Sequence, residues 1–497
     1  MAKISITANG LREIRKVDER LVSYNVEMTE VTGGTFWRAY TPEQIAGTEE
    51  FPPIKDFTEL QTLMQWYEPI DLYEEKIRML AKALGPCYIR VSGSWATGTY
   101  YDFDGHTNGQ IPEGYRAVLT KEQWTGVLDF VKAVGGKLLI SVSNCDGEHV
   151  GGKPWTPEQA KLLFDYSREY GVPIDAAEFM NEPNMLGMSG APADYTAEEF
   201  ARDQDTFYRF VRENYPDVTI VGPCACGDSA SVGKNSEEAA KLVSVLKSVS
   251  TDELLSLCKE SSDLFSYHCY NGISERGASM GGHWTADEAT SEEYLATVGN
   301  VARFYGKIRD KYNPGAQMWV TEAGDAGCGG DTWASTFLDT IRTANELGLF
   351  ATITDGIIFH NTLASSDYGF LDHATHLPRP NYWVVYLWNQ IMGTTVYDTG
   401  IEISEGAHVY AHSRRDGKEG YAYVVINNSK TDATEVELPK DAEVYMLTAD
   451  DVRSRDMKIN GTVVALDAEG GMPEIKSAAV EKGVLSLPPV SVTYIVL

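Results

Sequence analysis

The sequence predicts an α/β fold, a (β/α)8 barrel, followed by a C-terminal all-β sandwich domain. Between about residues 20 and 390, eight short apolar runs alternate with amphipathic helical segments, which is typical of a closed parallel barrel. No G-x-G-x-x-G follows the first run, which disfavours the doubly wound sheet, the main alternative. After about residue 395 the helical pattern ends and short strand-like segments begin, which predicts a separate β-domain.

The eight predicted barrel strands are short apolar runs of the kind that form buried strands. In order, they are Leu21–Met28, Cys87–Ser92, Lys137–Ser143, Asp175–Asn181, Val218–Gly222, Asp263–His268, Gln317–Glu322 and Thr354–His360. Helices are expected between most of them, for example Leu72–Leu84, Glu292–Tyr312, Thr332–Leu347 and Tyr382–Met392.

Capping signals mark the starts of several predicted helices. Thr120 opens a capping box that extends to Gln123. Thr156 is expected to cap a second helix with Pro157 at its first position. Thr196 opens a third helix.

The chain is expected to divide into three parts: an N-terminal segment, residues 1–20, that packs with the β-domain; the barrel, residues 21–394; and the sandwich, residues 395–497. The predicted sandwich strands include Tyr421–Asn427, Thr434–Leu438, Glu443–Leu447 and Ser491–Leu497, and Asn460-Gly461 is a hairpin turn signal. None of the 10 tryptophans lies in the sandwich, so we expect it to support the barrel rather than to bind sugars.

Composition excludes several classes of function. The chain carries 42 Lys and Arg against 72 Asp and Glu, a net charge of −30, so a nucleic-acid partner is not expected. No run approaches the roughly 18 apolar residues of a membrane span, so no membrane partner is expected either. The N-terminus shows no apolar signal segment and the seven cysteines are odd in number, which favours a cytoplasmic protein, although a trimmed secreted form would look identical. The oligomeric state is not predicted.

Two glutamates are expected to meet at the carboxyl face of the barrel. The fourth predicted strand leads into Asn181-Glu182, and the seventh ends at Glu322. Reacting groups of such barrels lie at this face, and paired carboxylates about 5–5.5 Å apart can hydrolyse a glycoside with retention. Asn181 could bond the sugar hydroxyl next to the anomeric carbon. A single strand-end glutamate is more often an ion-pair or capping residue, but two on the appropriate strands favour catalysis.

Six segments of the predicted barrel also resemble a known family. They are Tyr88–Ser94, Asn181–Asn184, Tyr267–Gly272, Thr321–Gly324 with Gly329-Gly330, Asp367–Asp372 and Leu377–Trp383. Their order and spacing are similar to glycoside hydrolase family 79, the heparanases and related β-glucuronidases, within clan A of the retaining barrel glycosidases. The resemblance covers nearly the whole chain.

The resemblance implies a role for each matching residue. Glu182 corresponds to the general acid/base and Glu322 to the nucleophile. Tyr368 and the backbone amides around Gly329 and Gly330 correspond to the family's clamp on the uronic-acid carboxylate, which amides and a phenol can hold without a cation.

Three further positions take their implied roles from the same resemblance. Tyr270 would steady the carboxylate of Glu322. Glu27 corresponds to an acid that bonds sugar hydroxyls, and Asn144 lies at a comparable strand end. No metal or organic cofactor is implied.

The sequence also departs from the heparanase pattern. Cys328 interrupts the glycine run after Glu322, and Gly327 stands where heparanases have an aromatic residue. The loop Asn144–His149 lacks the Lys/Arg cluster that heparanases use against sulfates. We therefore predict a retaining exo-β-glucuronidase acting on glycoconjugates or oligosaccharides. The alternatives are a heparanase-like endo-β-glucuronidase on heparan sulfate or a related polysaccharide, a non-catalytic glycan-binding barrel, and a metal-dependent barrel hydrolase.

Other residues have two open interpretations. Cys224-Ala225-Cys226 with His268-Cys269 could suggest a metal, but the spacing is not that of a zinc site, and buried small hydrophobes are the simpler interpretation. His360 is expected to line the site. Three tryptophans in strand-end loops could stack on sugars or pack within the loops: Trp95, Trp155 and Trp284.

Overall fold

The structure, a computed structural model, describes residues 2–52, 54, 57–186, 189–228 and 248–497. Its strands are β1 (Lys3–Ser5), β2 (Arg12–Lys16), β3 (Val22–Glu27), β4 (Gly34–Trp37), β5 (Met64–Tyr67), β6 (Tyr88–Ser92), β7 (Thr99–Asp102), β8 (Ala117–Thr120), β9 (Lys137–Ser141), β10 (Ala176–Glu178), β11 (Thr219–Ala225), β12 (Leu264–Ile273), β13 (Met318–Gly327), β14 (Ile358–His360), β15 (Met392–Asp398), β16 (His408–Arg414), β17 (Tyr421–Asn427), β18 (Thr434–Leu438), β19 (Ala442–Thr448), β20 (Lys458–Ile459), β21 (Thr462–Val463), β22 (Ala478–Val480), β23 (Gly483–Leu487) and β24 (Ser491–Val496). Its α-helices are α1 (Met28–Thr32), α2 (Pro42–Ile45), α3 (Glu75–Ala83), α4 (Ser94–Thr97), α5 (Lys121–Val134), α6 (Glu158–Tyr170), α7 (Ala197–Asn214), α8 (Thr251–Leu257), α9 (Glu292–Leu295), α10 (Thr297–Tyr312), α11 (Asp339–Ile353) and α12 (Pro380–Ile391). Short 3-10 helices span Phe57–Leu63, Asp146–His149 and Glu275–Met280.

Eight parallel strands close into a barrel in the order β3-β6-β9-β10-β11-β12-β13-β14, with β14 pairing back to β3. All eight correspond to the predicted runs, so the predicted barrel is confirmed. Several strand ends differ from the prediction by a few residues, and β12 and β13 differ most, because they continue to Ile273 and Gly327. Their extensions remain paired, with Tyr270 opposite Gly324, and they rise above the carboxyl face of the barrel.

The C-terminal part is the predicted all-β domain. A large sheet has the order β2-β15-β16-β17-β24-β19-β20-β21, with β22 also pairing β19, and a small sheet has the order β1-β18-β23. Apolar side chains that include Ile4, Val425 and Leu487 form a core shared by the two sheets. The predicted turn is confirmed, because Asn460 and Gly461 join β20 to β21 with φ of 50° and 79°, as a type I′ hairpin requires.

The first strands of the chain belong to the sandwich sheets. β1 pairs in parallel with β18, with Lys3 opposite Glu435, and β2 pairs antiparallel with β15, with Arg12 opposite Asp398. β15 begins at Met392, directly after α12. The barrel and the sandwich therefore follow each other along the chain without an intervening linker.

Two of the predicted helix starts are confirmed by their side-chain caps. Thr120 and Thr196 accept hydrogen bonds from the backbone amides of Gln123 and Glu199, each at 3.2 Å. In both helices the third residue also reaches back to the backbone of the cap. These are complete capping boxes.

The predicted cap at Thr156 is wrong. Helix α6 begins at Glu158, with Pro157 in the capping position and without a side-chain capping bond. The carbonyl of Pro157 already accepts the amide of Lys161 at 2.8 Å. A proline in the capping position has no side-chain oxygen to offer the first turn.

Two other predicted helices have different bounds in the structure. The segment predicted as Glu292–Tyr312 is two helices, α9 and α10, which meet at Ala296. The predicted helix Thr332–Leu347 is wrong in its position, because α11 spans Asp339–Ile353. Nearly every residue of α11 is buried, so no polar stripe marks its turns in the sequence.

The sandwich packs directly on the barrel helices α11 and α12. The hydroxyl of Tyr494 donates to the carbonyl of Val384 at 2.8 Å. The side-chain oxygen of Asn345 accepts the hydroxyl of Tyr410 at 2.7 Å and lies 2.7 Å from His408 Nδ1. These buried polar contacts fix the sandwich against the side of the barrel. Arg453 and Arg455 of the sandwich also reach the loops after β13 and β14, where they donate to Thr332 Oγ1 at 3.0 Å and Asp372 Oδ2 at 3.2 Å.

In the part of the chain that the structure describes, no helix combines the length and apolarity needed to cross a membrane.

Candidate active site

The two predicted glutamates lie at the carboxyl face of the barrel. Glu182 follows β10 by four residues and has a φ of 47°, a left-handed conformation that is unusual for a residue with a side chain. Glu322 lies within β13 rather than at its end, because β13 continues to Gly327. Glu322 is 5% exposed and Glu182 is half-buried, so both carboxylates lie within a pocket.

His268 of β12 is close to both carboxylates. Its Nδ1 is 2.9 Å from Glu182 Oε1 and 3.6 Å from Glu322 Oε2. These two oxygens are therefore at most about 6.5 Å apart. This separation fits the shorter spacing of retaining enzymes better than the roughly 6.5–9.5 Å of inverting ones.

Glu322 is held in its ionised form. Arg90 Nη1 donates to its Oε1 at 2.9 Å, and the hydroxyl of Tyr270 donates to its Oε2 at 2.7 Å. Burial alone would raise the pKa of Glu322, but His268, Arg90 and Tyr270 outweigh it and hold the pKa below its usual value. The carboxylate is therefore charged at neutral pH, as a nucleophile must be.

Arg90 connects several residues of the pocket. It is fully buried in β6, and its Nε and Nη2 donate to Oε1 of Glu178. Its Nη2 also donates to Asn181 Oδ1 at 2.7 Å. Burial alone would lower the pKa of Arg90, but Glu178 and Glu322 raise it above its ordinary value. The guanidinium therefore fixes the orientation of both Asn181 and Glu322.

A cysteine lies beside Glu182. One ligand atom each of Glu182, Cys226 and His268 lie within 4.8 Å of one another. Burial and the nearby charge of Glu182 raise the pKa of the Cys226 thiol well above its ordinary value. Cys224, by contrast, donates to Glu178 Oε2 at 2.6 Å, so the two cysteines of this CxC sequence have different partners.

Two tyrosines and an asparagine line the pocket beside Glu322. Asn361 Nδ2 donates to the hydroxyls of Tyr270 at 2.9 Å and Tyr368 at 3.1 Å. Burial, Glu27 and Glu322 raise the pKa of Tyr368 well above its ordinary value. Tyr368 is therefore a neutral phenol that accepts from Asn361 and keeps its own proton for donation.

Gly329 and Gly330 form a tight turn against Tyr368. Both have left-handed φ, 87° and 84°. A Cβ on Gly329 would lie 2.6 Å from Ser366 Oγ, and one on Gly330 would lie 3.0 Å from Tyr368 N, so side chains are excluded here. The amide of Gly330 donates to the carbonyl of Ala326 at 3.2 Å and is therefore already engaged.

Arg276, for which the sequence predicted no role, binds backbone carbonyls of this turn. It is 1% exposed and donates to the carbonyls of Cys328 at 3.2 Å and Gly330 at 2.8 Å. It also pairs with Asp367 at 2.7 Å. These bonds fix the carbonyls of the turn on the side of Arg276.

Glu27 ends β3 close to Glu322. Its Oε2 makes no hydrogen bond with the described residues, and a Cβ on Gly93 would overlap it. Burial and the charge of Glu322 raise the pKa of Glu27 well above its usual value. Glu27 is therefore a neutral acid that could donate to a hydroxyl.

Asn144 is not joined to the two glutamates by any contact among the described residues. Its Oδ1 lies 2.7 Å from His149 Nε2, and its Nδ2 lies 3.2 Å from Met180 Sδ. One end of the amide therefore has a partner in the loop after β9, and the other contacts the segment after β10 that leads into Glu182.

The predicted aromatic candidates pack within the protein. Trp155 and Trp284 are buried and donate their indole N–H groups to the carbonyls of Ser143 and Asn271, each at 2.9 Å. Trp95 is half-buried and donates to a carbonyl of β4 at 3.0 Å. These three contacts favour loop packing over sugar stacking. His360 Nε2 lies 2.7 Å from the carbonyl of Tyr368.

Sequence reasoning assigned no role to four groups that the structure places in or beside the pocket: Arg90, Glu178, His268 and Asn361. One signal was available for Arg90, which is a charged residue in the middle of an apolar strand. Buried cations are rare unless they are paired. Its partners come from strands far along the chain, so they could not be identified from spacing.

Comparisons with known proteins agree with this architecture. No family model matches the chain. The chain is 24% identical over 449 residues to baicalin-beta-D-glucuronidase of Scutellaria baicalensis, a match covering 82% of this chain and 79% of that protein. It is 23% identical over 375 residues to heparanase-like protein 1 of Arabidopsis thaliana, covering 72% of this chain and 65% of the relative, slightly less than two thirds of its length.

A solved structure shares the fold over the whole chain. It is a 4-O-alpha-L-rhamnosyl-beta-D-glucuronidase from Fusarium oxysporum 12S, with a TM-score of 0.64 and 10% identity, covering 99% of this chain and 100% of that one. At this identity the likeness concerns the barrel and sandwich alone.

Proposed function

We propose that this chain, a glycoside hydrolase that belongs to the heparanase-like family 79 within clan A, is a retaining exo-β-glucuronidase. The observation that carries the proposal is that both carboxylates contact Nδ1 of His268, which places one oxygen of each at most about 6.5 Å apart. A sugar C1 between them can be attacked by one carboxylate while the other protonates the leaving oxygen.

In the first step Glu322 attacks C1 and a covalent glycosyl-enzyme forms, while Glu182 gives its proton to the departing oxygen. In the second step Glu182 accepts a proton from water, the water oxygen attacks C1, and Glu322 leaves as a carboxylate. Arg90 and Tyr270 keep Glu322 charged and oriented for both steps. No metal or organic cofactor takes part in either step.

Selectivity for glucuronic acid is assigned to the turn beside Tyr368. A neutral phenol and the backbone amide of Gly329 can bind a carboxylate without a formal positive charge. Gly330 allows the tight turn beside Tyr368 but offers no free donor, because its amide already donates to the carbonyl of Ala326. Glu27, as a neutral acid, would donate to a sugar hydroxyl, and Asn181 would bond the hydroxyl next to C1. Asn144 would act by supporting the segment after β10, which it contacts at Met180.

Exo action is favoured by the acidic loop after β9 and by the charge of the whole chain. The loop Asn144–His149 carries Asp146 and Glu148 and has no lysine or arginine, and the whole chain has a net charge of −30. A polysulfated chain would be repelled by this surface. We therefore propose terminal glucuronic acid on an oligosaccharide or glycoconjugate as the substrate.

Endo cleavage is the second candidate, because the relatives include a heparanase-like protein. It would require binding of sugar units on both sides of the scissile bond. Size-exclusion chromatography of heparan sulfate and of hyaluronan after incubation with the enzyme separates the two modes. Rapid shortening of either chain would support endo action, whereas release of monosaccharide alone supports exo action.

The main experiment compares two aryl glycosides with the same leaving group, a β-D-glucuronide and a β-D-glucoside. We expect kcat/KM to favour the glucuronide by on the order of 100-fold, because buried donors are left unpaired when the carboxylate is missing. Tyr368→Phe should reduce this preference while leaving the slow glucoside rate nearly unchanged.

Glu322→Gln is the control for hydrolysis itself. It should retain the fold and lose on the order of 10⁴-fold or more in kcat. Equal rates on the two sugars would contradict the glucuronide assignment. Full activity of Glu322→Gln would contradict the mechanism, and glucuronide binding without any hydrolysis by the wild type would support a glycan-binding protein instead.

A further inference from the structure

Three side chains outside the catalytic pocket have the composition of a divalent metal site. Glu275 begins the 3-10 helix after β12, His283 lies in the loop that follows it, and Asp331 lies in the loop after β13. One ligand atom of each lies within 4.8 Å of the others. One imidazole with two carboxylates is a donor set that suits Zn²⁺ and similar divalent transition ions.

The spacing of the donor atoms is close to that around a bound ion. His283 Nδ1 lies 3.4 Å from Asp331 Oδ1 and 3.1 Å from the carbonyl oxygen of Ile273. Ligands placed tetrahedrally at about 2.1 Å from Zn²⁺ are about 3.4 Å from one another. The carbonyl oxygen of Ile273 is a further oxygen close to His283.

Asp331 provides an independent indication that something binds here. Its side chain is 1% exposed, and its Oδ1 makes no hydrogen bond with the described residues. A buried carboxylate oxygen beside a second carboxylate requires a proton or a cation to balance its charge.

Glu275 is already oriented for such a role. Its two carboxylate oxygens accept the amide of Thr332 at 2.9 Å and the hydroxyl of Thr332 at 2.7 Å. Hydrogen bonds of this kind fix a metal-binding carboxylate in position. Oε2 also lies 3.5 Å from the hydroxyl of Tyr40, whereas Oε1 has a lone pair left for an ion.

We propose that Glu275, His283 and Asp331 bind one Zn²⁺ or a similar divalent transition ion, which joins the loop after β12 to the loop after β13. The ion would have a structural role, because Asp331 directly follows the turn Gly329-Gly330 in the chain. Its binding does not depend on the proposed glycosidase reaction. It would stabilise the turn Gly329-Gly330, which Arg276 also binds.

The test measures metal content and thermal stability of the full chain after treatment with a chelator and dialysis. Adding Zn²⁺ should restore about one bound ion per chain and raise Tm by on the order of 2 °C. His283→Gln, at a half-exposed position, should fold and lose both responses, and Asp331→Asn should lose them too. His106→Gln is the matched control, because it alters an exposed group of the same donor types, Asp102, Asp104 and His106, and should change neither response.

Zn²⁺ could also bind in the catalytic pocket, at Glu182, Cys226 and His268. Cys226→Ser separates the two places, since it should keep the Tm response if the ion binds at Asp331. Co²⁺ gives a second readout, because only binding at Cys226 would produce a thiolate absorption band. The proposal is overturned if the wild type binds no Zn²⁺, or if the response survives in both His283→Gln and Asp331→Asn. It is also overturned if Zn²⁺ does not change the Tm of the wild type and Asp331→Asn is more stable than the wild type. Asp331 would then share a proton with Glu275 instead of binding an ion.

Discussion

At the scale of single residues, His268 contacts both carboxylates, Glu182 and Glu322, but at different distances. Its Nδ1 is nearer to Glu182 than to Glu322, at 2.9 Å against 3.6 Å. Glu322 has two further donors, Arg90 and Tyr270. The two acids therefore have different environments, which is what two different catalytic roles require.

Replacing Glu182 by Gln should impair only the steps that need proton transfer. Substrates with poor leaving groups should lose on the order of 100-fold more in kcat/KM than a nitrophenyl glucuronide, whose first step needs little protonation. A series of glucuronides with increasing leaving-group pKa measures the difference. Glu322→Gln is the comparison, because it should impair all members alike. A uniform loss in Glu182→Gln would assign the acid elsewhere.

Replacing Tyr270 by Phe should shift the acidic limb of the pH profile. The hydroxyl of Tyr270 stabilises the charged form of Glu322, so the pKa of Glu322 should be higher in the variant. As the pH is lowered, the variant should therefore lose its activity at a higher pH than the wild type. The profile of kcat/KM measures the shift. Tyr267→Phe on the same strand is the control, because the hydroxyl of Tyr267 has no hydrogen-bond partner among the described residues. An unchanged limb in Tyr270→Phe would contradict its assigned role.

The same pKa has a consequence for stability. Because folding lowers the pKa of Glu322, the carboxylate stabilises the folded chain above its ordinary pKa. This contribution is lost as the pH falls through the lower folded value.

At the scale of elements, the capping residues give a matched pair of mutations. Thr120→Ala removes the acceptor of the Gln123 amide and should reduce the free energy of unfolding by about 1 kcal/mol. Thr156→Ala should have almost no effect, because α6 begins without a side-chain cap. Denaturant midpoints of the two variants test this. Equal losses would mean that Thr156 caps its helix after all.

The barrel strands could be predicted because each has a buried apolar run flanked by turns. The extensions of β12 and β13 could not, because Asn271, Gly272 and Gly324 are poor strand formers. Pairing between the two extensions decides their conformation instead. The active site was predictable to a similar extent. The two glutamates could be identified because they lie near recognisable strand ends. Arg90 and His268 could not be assigned a role, because their roles depend on contacts between strands that are distant in the sequence.

At the scale of the whole molecule, the sandwich depends on close contact with the barrel. Helix α11 has Gly348 directly beneath the ring of Tyr410, and a Cβ at this position would overlap the ring. A glycine inside a helix lowers its stability by roughly 0.5–1 kcal/mol. Its presence here is therefore explained by the approach of β16.

Gly348→Ala should force the sandwich away from α11 and reduce stability by about 1–3 kcal/mol. Gly306→Ala in α10 is the matched control, since its Cβ would meet only Met318 Sδ at 3.7 Å, and it should stabilise the chain by about 0.5–1 kcal/mol. The thermal unfolding midpoints should move in opposite directions. A wild-type midpoint for Gly348→Ala would contradict the close contact between Gly348 and Tyr410.

The pairing of β1 and β2 also determines the order of events during protein synthesis. Lys3 pairs with Glu435 and Arg12 with Asp398, so both strands leave the ribosome long before their partners have been translated. The whole barrel is made while these two segments have no sheet to join. These two segments can therefore take up their native pairing only after β15 and β18 have been made, and until then their backbone edges are unpaired.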